Sequence, residues 1–85
     1  MSDAELIERY ITFDRRFPHM ARINETGVPV WIIVDLDIAV DGDDQQIVDA
    51  YRLSRESIDA ARAYYRSFGE YIDAKRLLND AAFSA

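Results

Sequence analysis

The chain has no cysteine, one histidine, one tryptophan, three glycines and two prolines, and it contains no long apolar run. Without cysteine, neither a disulfide frame nor a thiolate metal centre can form. His19, with no second histidine anywhere in the sequence, is a poor start for a metal site. The scarcity of glycine and proline leaves no visible linker, repeat or low-complexity segment, so the 85 residues read as one domain. The longest nearly uncharged stretch, Thr26 to Val34, falls far short of the roughly 20 residues a membrane-spanning helix needs. The acidic opening Met1-Ser2-Asp3-Ala4-Glu5 leads into no apolar core of signal-peptide length. A cytoplasmic protein with no membrane contact is expected. Bases are also few, 10 against 16 acids, and the net charge of −6 weighs against a general nucleic-acid binder, whose phosphate-facing surface is basic.

What the chain does have is a hydrophobic fraction of 49 % and a charged fraction of 31 %, enough apolar material for a folded core. A domain of this size buries only about 60 % of the surface its unfolded chain exposes. Pairing with a second copy would add stability, and a homodimer is expected. The apolar residues Val28, Val30, Trp31, Ile32 and Ile33, and the strand-like segment Tyr10 to Phe13, are its candidate contacts. Charge is polarised along the chain. Six acids and no base lie between Asp35 and Asp49, and six bases against four acids lie between Arg52 and Arg76.

Residues 5 to 13 open in helical spacing and turn strand-like through Tyr10-Ile11-Thr12-Phe13. Asp14 to Pro18 reads as a turn, Met20 to Asn24 as a second short strand, and Asn24-Glu25-Thr26-Gly27 as the turn after it. Val28 to Val40 carries two conflicting signals. Val34-Asp35-Leu36-Asp37-Ile38 alternates with period two and is rich in β-branched residues, which favours strand by a little. Yet Pro29 suits a helix start, Gly42 suits a helix end, and Val30, Ile33, Val34 and Ile38 would share one helical face.

Downstream the pattern is clearer. Asp43 is an N-cap with Gln46 three residues on to close a capping box, and the helix it starts would bury Ile47, Ala50 and Tyr51. Arg52-Leu53 is a turn, and Ser54 caps a helix that would bury Ile58, Ala61 and Tyr65. Arg55, Asp59, Arg62 and Arg66 line another face of that helix. Gly69 breaks or kinks it, and helical spacing resumes with Tyr71, Ala74, Leu77 and Leu78 on one side.

No arrangement of residues suggests catalysis or a cofactor. Asp41-Gly42-Asp43-Asp44 resembles the start of a calcium loop, but Gln45 and Arg52 stand where a fifth-position carboxylate and the closing glutamate belong. There is no phosphate-binding glycine loop and no nucleophile elbow, and Ser54 and Ser57 read as a cap and a surface residue. The chain is therefore expected to bind partners and not to be an enzyme, with no small-molecule substrate. The two capped helices of residues 43 to 67, joined by a short turn and with arginines on the second, form a helix-turn-helix pattern. The competing reading is that Arg62 and Arg66 pair along their own helix with Asp59, Glu70 or Asp73.

Four segments in order carry a resemblance. They are Gly27-Val28-Pro29-Val30-Trp31; Asp43-Asp44-Gln45-Gln46-Ile47-Val48; Tyr51-Arg52-Leu53-Ser54; and Glu56-Ser57-Ile58-Asp59-Ala60-Ala61-Arg62-Ala63-Tyr64-Tyr65. Together they resemble the bacterial domain-of-unknown-function family 433. The chain departs from that pattern at His19-Met20-Ala21, in place of a Gly-Lys-Pro lead-in, and at Gly27, in place of an arginine. The resemblance implies a helix over residues 30–40. The fold class expected is then mainly α: short N-terminal β-strands (1–27), a helix-turn-helix-like core (28–67) and a C-terminal helix or tail (68–85). It also implies a VapB-type antitoxin that neutralises a PIN-like ribonuclease toxin and binds operator DNA as a dimer. The residues expected on DNA are Arg52, Arg55, Arg62 and Arg66, and those on the toxin are Tyr71, Leu77, Leu78 and Phe83. The alternative from the acidic balance is a protein-interaction module that does not touch DNA.

Overall fold

Ser2 starts the first helix by a capping box: its hydroxyl accepts from the Glu5 amide at 3.2 Å and donates to the Glu5 carboxylate. The helix, α1, runs Asp3–Tyr10 and turns Ile7 inward. The chain then enters a two-residue strand, β1 (Ile11–Thr12), and passes a 3-10 turn at Pro18–Met20. It returns as β2 (Arg22–Ile23), pairing antiparallel with β1 in the register Ile11 to Ile23. The strand-like N-terminal segments are thus each other's partner within one chain. Gly27, at φ +74°, supplies the left-handed residue that closes the following turn.

The structure, a computed structural model, describes the backbone of residues 1–84 and the side chains of residues 1–80. Beyond β2 it is helical: α2 (Val30–Ala39), α3 (Asp44–Tyr51) and α4 (Arg55–Ser84). The conflict over residues 28–40 resolves as helix. Pro29 is the N-cap, and Val30, Ile33 and Val34 are almost wholly buried against the rest of the core. Ile38, expected on that face, is exposed instead, because α2 reaches its end as the chain turns toward Gly42. Asp43 caps α3 as the spacing suggests, accepting from the Gln45 and Gln46 amides, while the Gln46 side chain donates back to it at 3.0 Å. Of the three residues expected inside from α3, only Ile47 is fully buried; Tyr51 is half-buried and Ala50 faces solvent.

Arg52, in the left-handed region at φ 56°, ends α3, and Leu53 plugs the turn beneath it. Ser54 caps α4 through the Ser57 amide at 3.2 Å. Ser57 is not the surface residue its type suggests. It is fully buried and satisfied by the Ser54 hydroxyl at 3.1 Å. Along α4 the buried line is Ile58, Ala61 and Tyr64, with Tyr65 only half-buried. Tyr64, next in sequence, takes the core position and donates to the Pro18 carbonyl at 2.5 Å, which ties α4 to the 3-10 turn. Burial pushes its phenol up to about 12.

α4 is one element with a kink at Phe68, whose φ of −127° and ψ of 28° are not helical. The ring of Phe68 stacks on Tyr64 at 4.6 Å, and Phe13 packs across both. After the kink Ile72, fully buried, is the main apolar anchor of the distal half. Among the described residues no helix is long and apolar enough to cross a membrane.

The Asp43 cap has a pH signature. The Gln46 side chain and then the Gln46 and Gln45 amides hold its carboxyl below the usual carboxylate range. A lowered folded value stabilises the fold above the ordinary pKa of about 4 and loses that contribution as pH falls through the folded value. Asp43→Ala should lower the melting temperature at pH 7, with the deficit closing in acid. Asp43→Asn should retain most of the neutral-pH stability. Thermal melts from pH 7 to pH 2 check both.

Candidate interaction surfaces

The four arginines expected on DNA occupy different environments. Arg62 leaves α4 toward the junction of α2 and α3 and clamps Asp37, with Nη2 to Oδ1 at 2.8 Å and Nε to Oδ2 at 3.2 Å. The same Nη2 reaches Asp44 Oδ1 at 2.6 Å, and Nη1 lies 3.7 Å from Asp59. The Arg62 side chain is 26 % exposed, so three carboxylates surround a guanidinium that is mostly withdrawn from water. The hydrogen bonds with Asp37 come first in holding it charged far above its ordinary range.

Arg66 is bidentate to Asp3 of α1, both contacts at 2.8 Å, and it holds the Asp3 carboxyl below its usual range. Arg55 lies 3.5 Å from Asp44 and donates to the Gln45 side chain. Arg52 is exposed and forms no ion pair among the described residues. Next to it Glu25, from the turn after β2, accepts the Ser54 amide at 2.6 Å. A carboxylate therefore already sits at the start of α4, the place a phosphate would take on a recognition helix. Among the described residues, pairing along α4 itself is limited to Arg62 with Asp59 and Arg76 with Asp73; Arg66 reaches α1 instead.

A second polar chain, not anticipated from spacing, crosses the kink. Tyr65 donates to Asp73 at 2.7 Å, and Arg76 holds both Asp73 at 3.0 Å and Asp35 of α2 at 2.6 Å. The hydrogen bond to Asp73 raises the Tyr65 phenol. Lys75 sits 6.0 Å from the centre of the Trp31 ring. Arg76 and Asp73 stand three apart on one helix, whereas the partners on α2 required the fold.

The residues expected on a toxin lie on this distal half. Tyr71 is 51 % exposed, and Leu77 and Leu78 are each 69 % exposed. Phe83 lies outside the described side chains. Shallow grooves flank the segment. One, of about 350 Å³, is lined by Trp31, Ile32, Leu36 and Tyr51 with Asn79. The other, of about 310 Å³, lies among Tyr65, Asp73, Arg76, Leu77 and Asp80.

A model of the family described as "Protein of unknown function (DUF433)" matches residues 20–65. No curated protein and no solved structure matches the chain. The matched stretch contains all four residues of the Arg62 cluster and stops before the kink, so α1 and the distal half of α4 lie outside it.

The difference between the two bidentate arginines is testable. Arg62→Ala strands three clustered carboxylates and should cost about 2 kcal/mol of unfolding free energy, the scale of a hydrogen bond to a charged group. Arg66→Ala breaks an exposed pair and should leave stability nearly unchanged. Urea titrations of the two variants beside the parent separate these outcomes.

Proposed function

We propose that this chain, which belongs to the DUF433 family, works by binding a protein partner through the distal half of its last helix, as an antitoxin covers its toxin. The observation that carries the reading is the exposure of Tyr71, Leu77 and Leu78 together on one helix beyond the kink. Three large apolar side chains on one short segment are more than scattered surface residues amount to, and an apolar helix face commonly lies in a partner's groove. The partner expected is a PIN-like ribonuclease encoded beside this chain, met in the cytoplasm. Co-expression of the adjacent reading frame is the test. The two products should purify together and the toxin's growth arrest should be relieved. Leu77→Asp with Leu78→Asp, which leaves the core intact, should lose both effects. Retention of both by the double variant would remove the docking role from this helix.

A second reading, binding of operator DNA as a homodimer, draws on α3 and α4 meeting through the three-residue turn Arg52 to Ser54. On this reading Arg52, exposed and without an ion pair among the described residues, and Arg55, in a looser 3.5 Å contact with Asp44, would reach phosphates more readily than Arg62 and Arg66, which carboxylates hold at 2.6 to 2.8 Å. Binding should be weak for the free chain. Each lost phosphate contact should flatten the slope of log affinity against log salt by about one unit, so Arg52→Ala and Arg55→Ala are expected to act in that way. Mobility shifts on the DNA upstream of the gene measure it. No change on replacing both would end the DNA reading.

A further inference from the structure

We infer that the exposed face of distal α4 is shaped for a cationic protein partner, and not for a second copy of this chain. The inference rests on the docking role proposed above and specifies the partner's charge. Tyr71, Ala74 and Leu78 follow one another at i, i+3 and i+7, the spacing of an apolar seam on a helix, with Leu77 beside them. The exposed arc of the helix continues from that seam through Glu70 and Leu77 to a far border formed by Asp73 and Asp80, on the side of the helix away from Tyr71 and Leu78.

Asp73 is engaged by Tyr65 and Arg76. Glu70 and Asp80 are exposed, and neither has a cation within ion-pair distance among the described residues. They stand about 15 Å apart along the axis, at about 1.5 Å per residue. The two cations of this segment are committed to the domain: Arg76 to Asp35 and Asp73, and Lys75 over the Trp31 ring. The outward arc therefore carries Glu70 among its apolar side chains and an acidic border beyond Leu77. Its complement is an apolar groove bordered by basic side chains.

A second copy does not supply that complement. In an antiparallel helix pair about a two-fold axis, equivalent borders fall on the same side, so a pair packed through Ala74 and Leu77 would bring the Asp73 and Asp80 borders together. A parallel pair could match Glu70 to Lys75 only by lifting Lys75 off Trp31. Like charges facing across an interface cost affinity, whereas opposite charges speed encounter and fix register.

The full-length chain can be tested with two labelled 18-residue amphipathic helical peptides that share one leucine stripe, one with lysine and one with glutamate on the flanks. Fluorescence anisotropy should show the lysine peptide binding at least about tenfold more tightly, with the preference falling as salt rises. Glu70→Gln with Asp80→Asn should remove most of that preference. Asp41→Asn with Asp49→Asn, an equal change of charge elsewhere, should leave it in place. If the two neutralised variants weaken binding equally, the attraction is general and the inference fails.

Equal binding of both peptides, lost in Leu77→Asp with Leu78→Asp, would overturn the charge assignment while leaving the docking role standing. Lysine-peptide binding that survives Leu77→Asp with Leu78→Asp would overturn both. Because the chain has no cysteine, Leu78→Cys places a single thiol on the seam. It should remain largely monomeric under mild oxidation. Rapid formation of a disulfide-linked dimer would name the second copy as the occupant.

Discussion

The acidic middle of the chain can fold because Arg62 lies where its parts converge. Asp37 at the end of α2, Asp44 at the start of α3 and Asp59 on α4 all approach one guanidinium, and Asp37 and Asp44 share its Nη2. Without a cation there, the junction of three helices would concentrate like charges in a partly dehydrated pocket, where repulsion is stronger than in water. The planar fork of arginine suits the task, since two donors meet Asp37 side-on while a third direction remains for Asp44. This clamp ties α2, α3 and α4 together at one point.

What the clamp does for charge, the Tyr64 cluster does for shape. Tyr64 is buried under the 3-10 turn, stacks on Phe68 and receives Phe13 from the N-terminal segment. Phe68 leaves helical geometry at this stack, and the distal half of α4 continues in a new direction, held by Ile72 and by the Arg76 contacts. Ile72 faces the domain there, and Leu77 and Leu78, on other sides of the helix, stay in water. Core packing and surface display are thus set at one residue.

A net charge of −6 understates how far the cations are withdrawn. Arg62, Arg66 and Arg76 all face carboxylates of the same chain, and Arg55 lies beside Asp44. The arginines of α4 are thus all engaged by carboxylates of the same chain, while Glu70 and Asp80 have no ion pair among the described residues.

Much of this was legible in the residues alone. The caps at Asp43 and Ser54, the interruption near Gly69 and the two short strands are local matters, set by side-chain type and spacing within a few residues. The family pattern likewise spans a contiguous stretch. Local chemistry could not choose between strand and helix for residues 30–40, because Val34-Asp35-Leu36-Asp37-Ile38 satisfies the strand period. In a strand both aspartates would share one face. A helix turns them to opposite flanks, where Asp37 meets Arg62 before the kink and Asp35 meets Arg76 beyond it. The same holds for the arginines: spacing marked Arg62 and Arg66 as an exposed basic face, and the carboxylates that claim them lie on other helices, Asp3 as many as 63 residues away. Only the tertiary structure brings such partners together, since ion pairing depends on distance in space and not on distance along the chain.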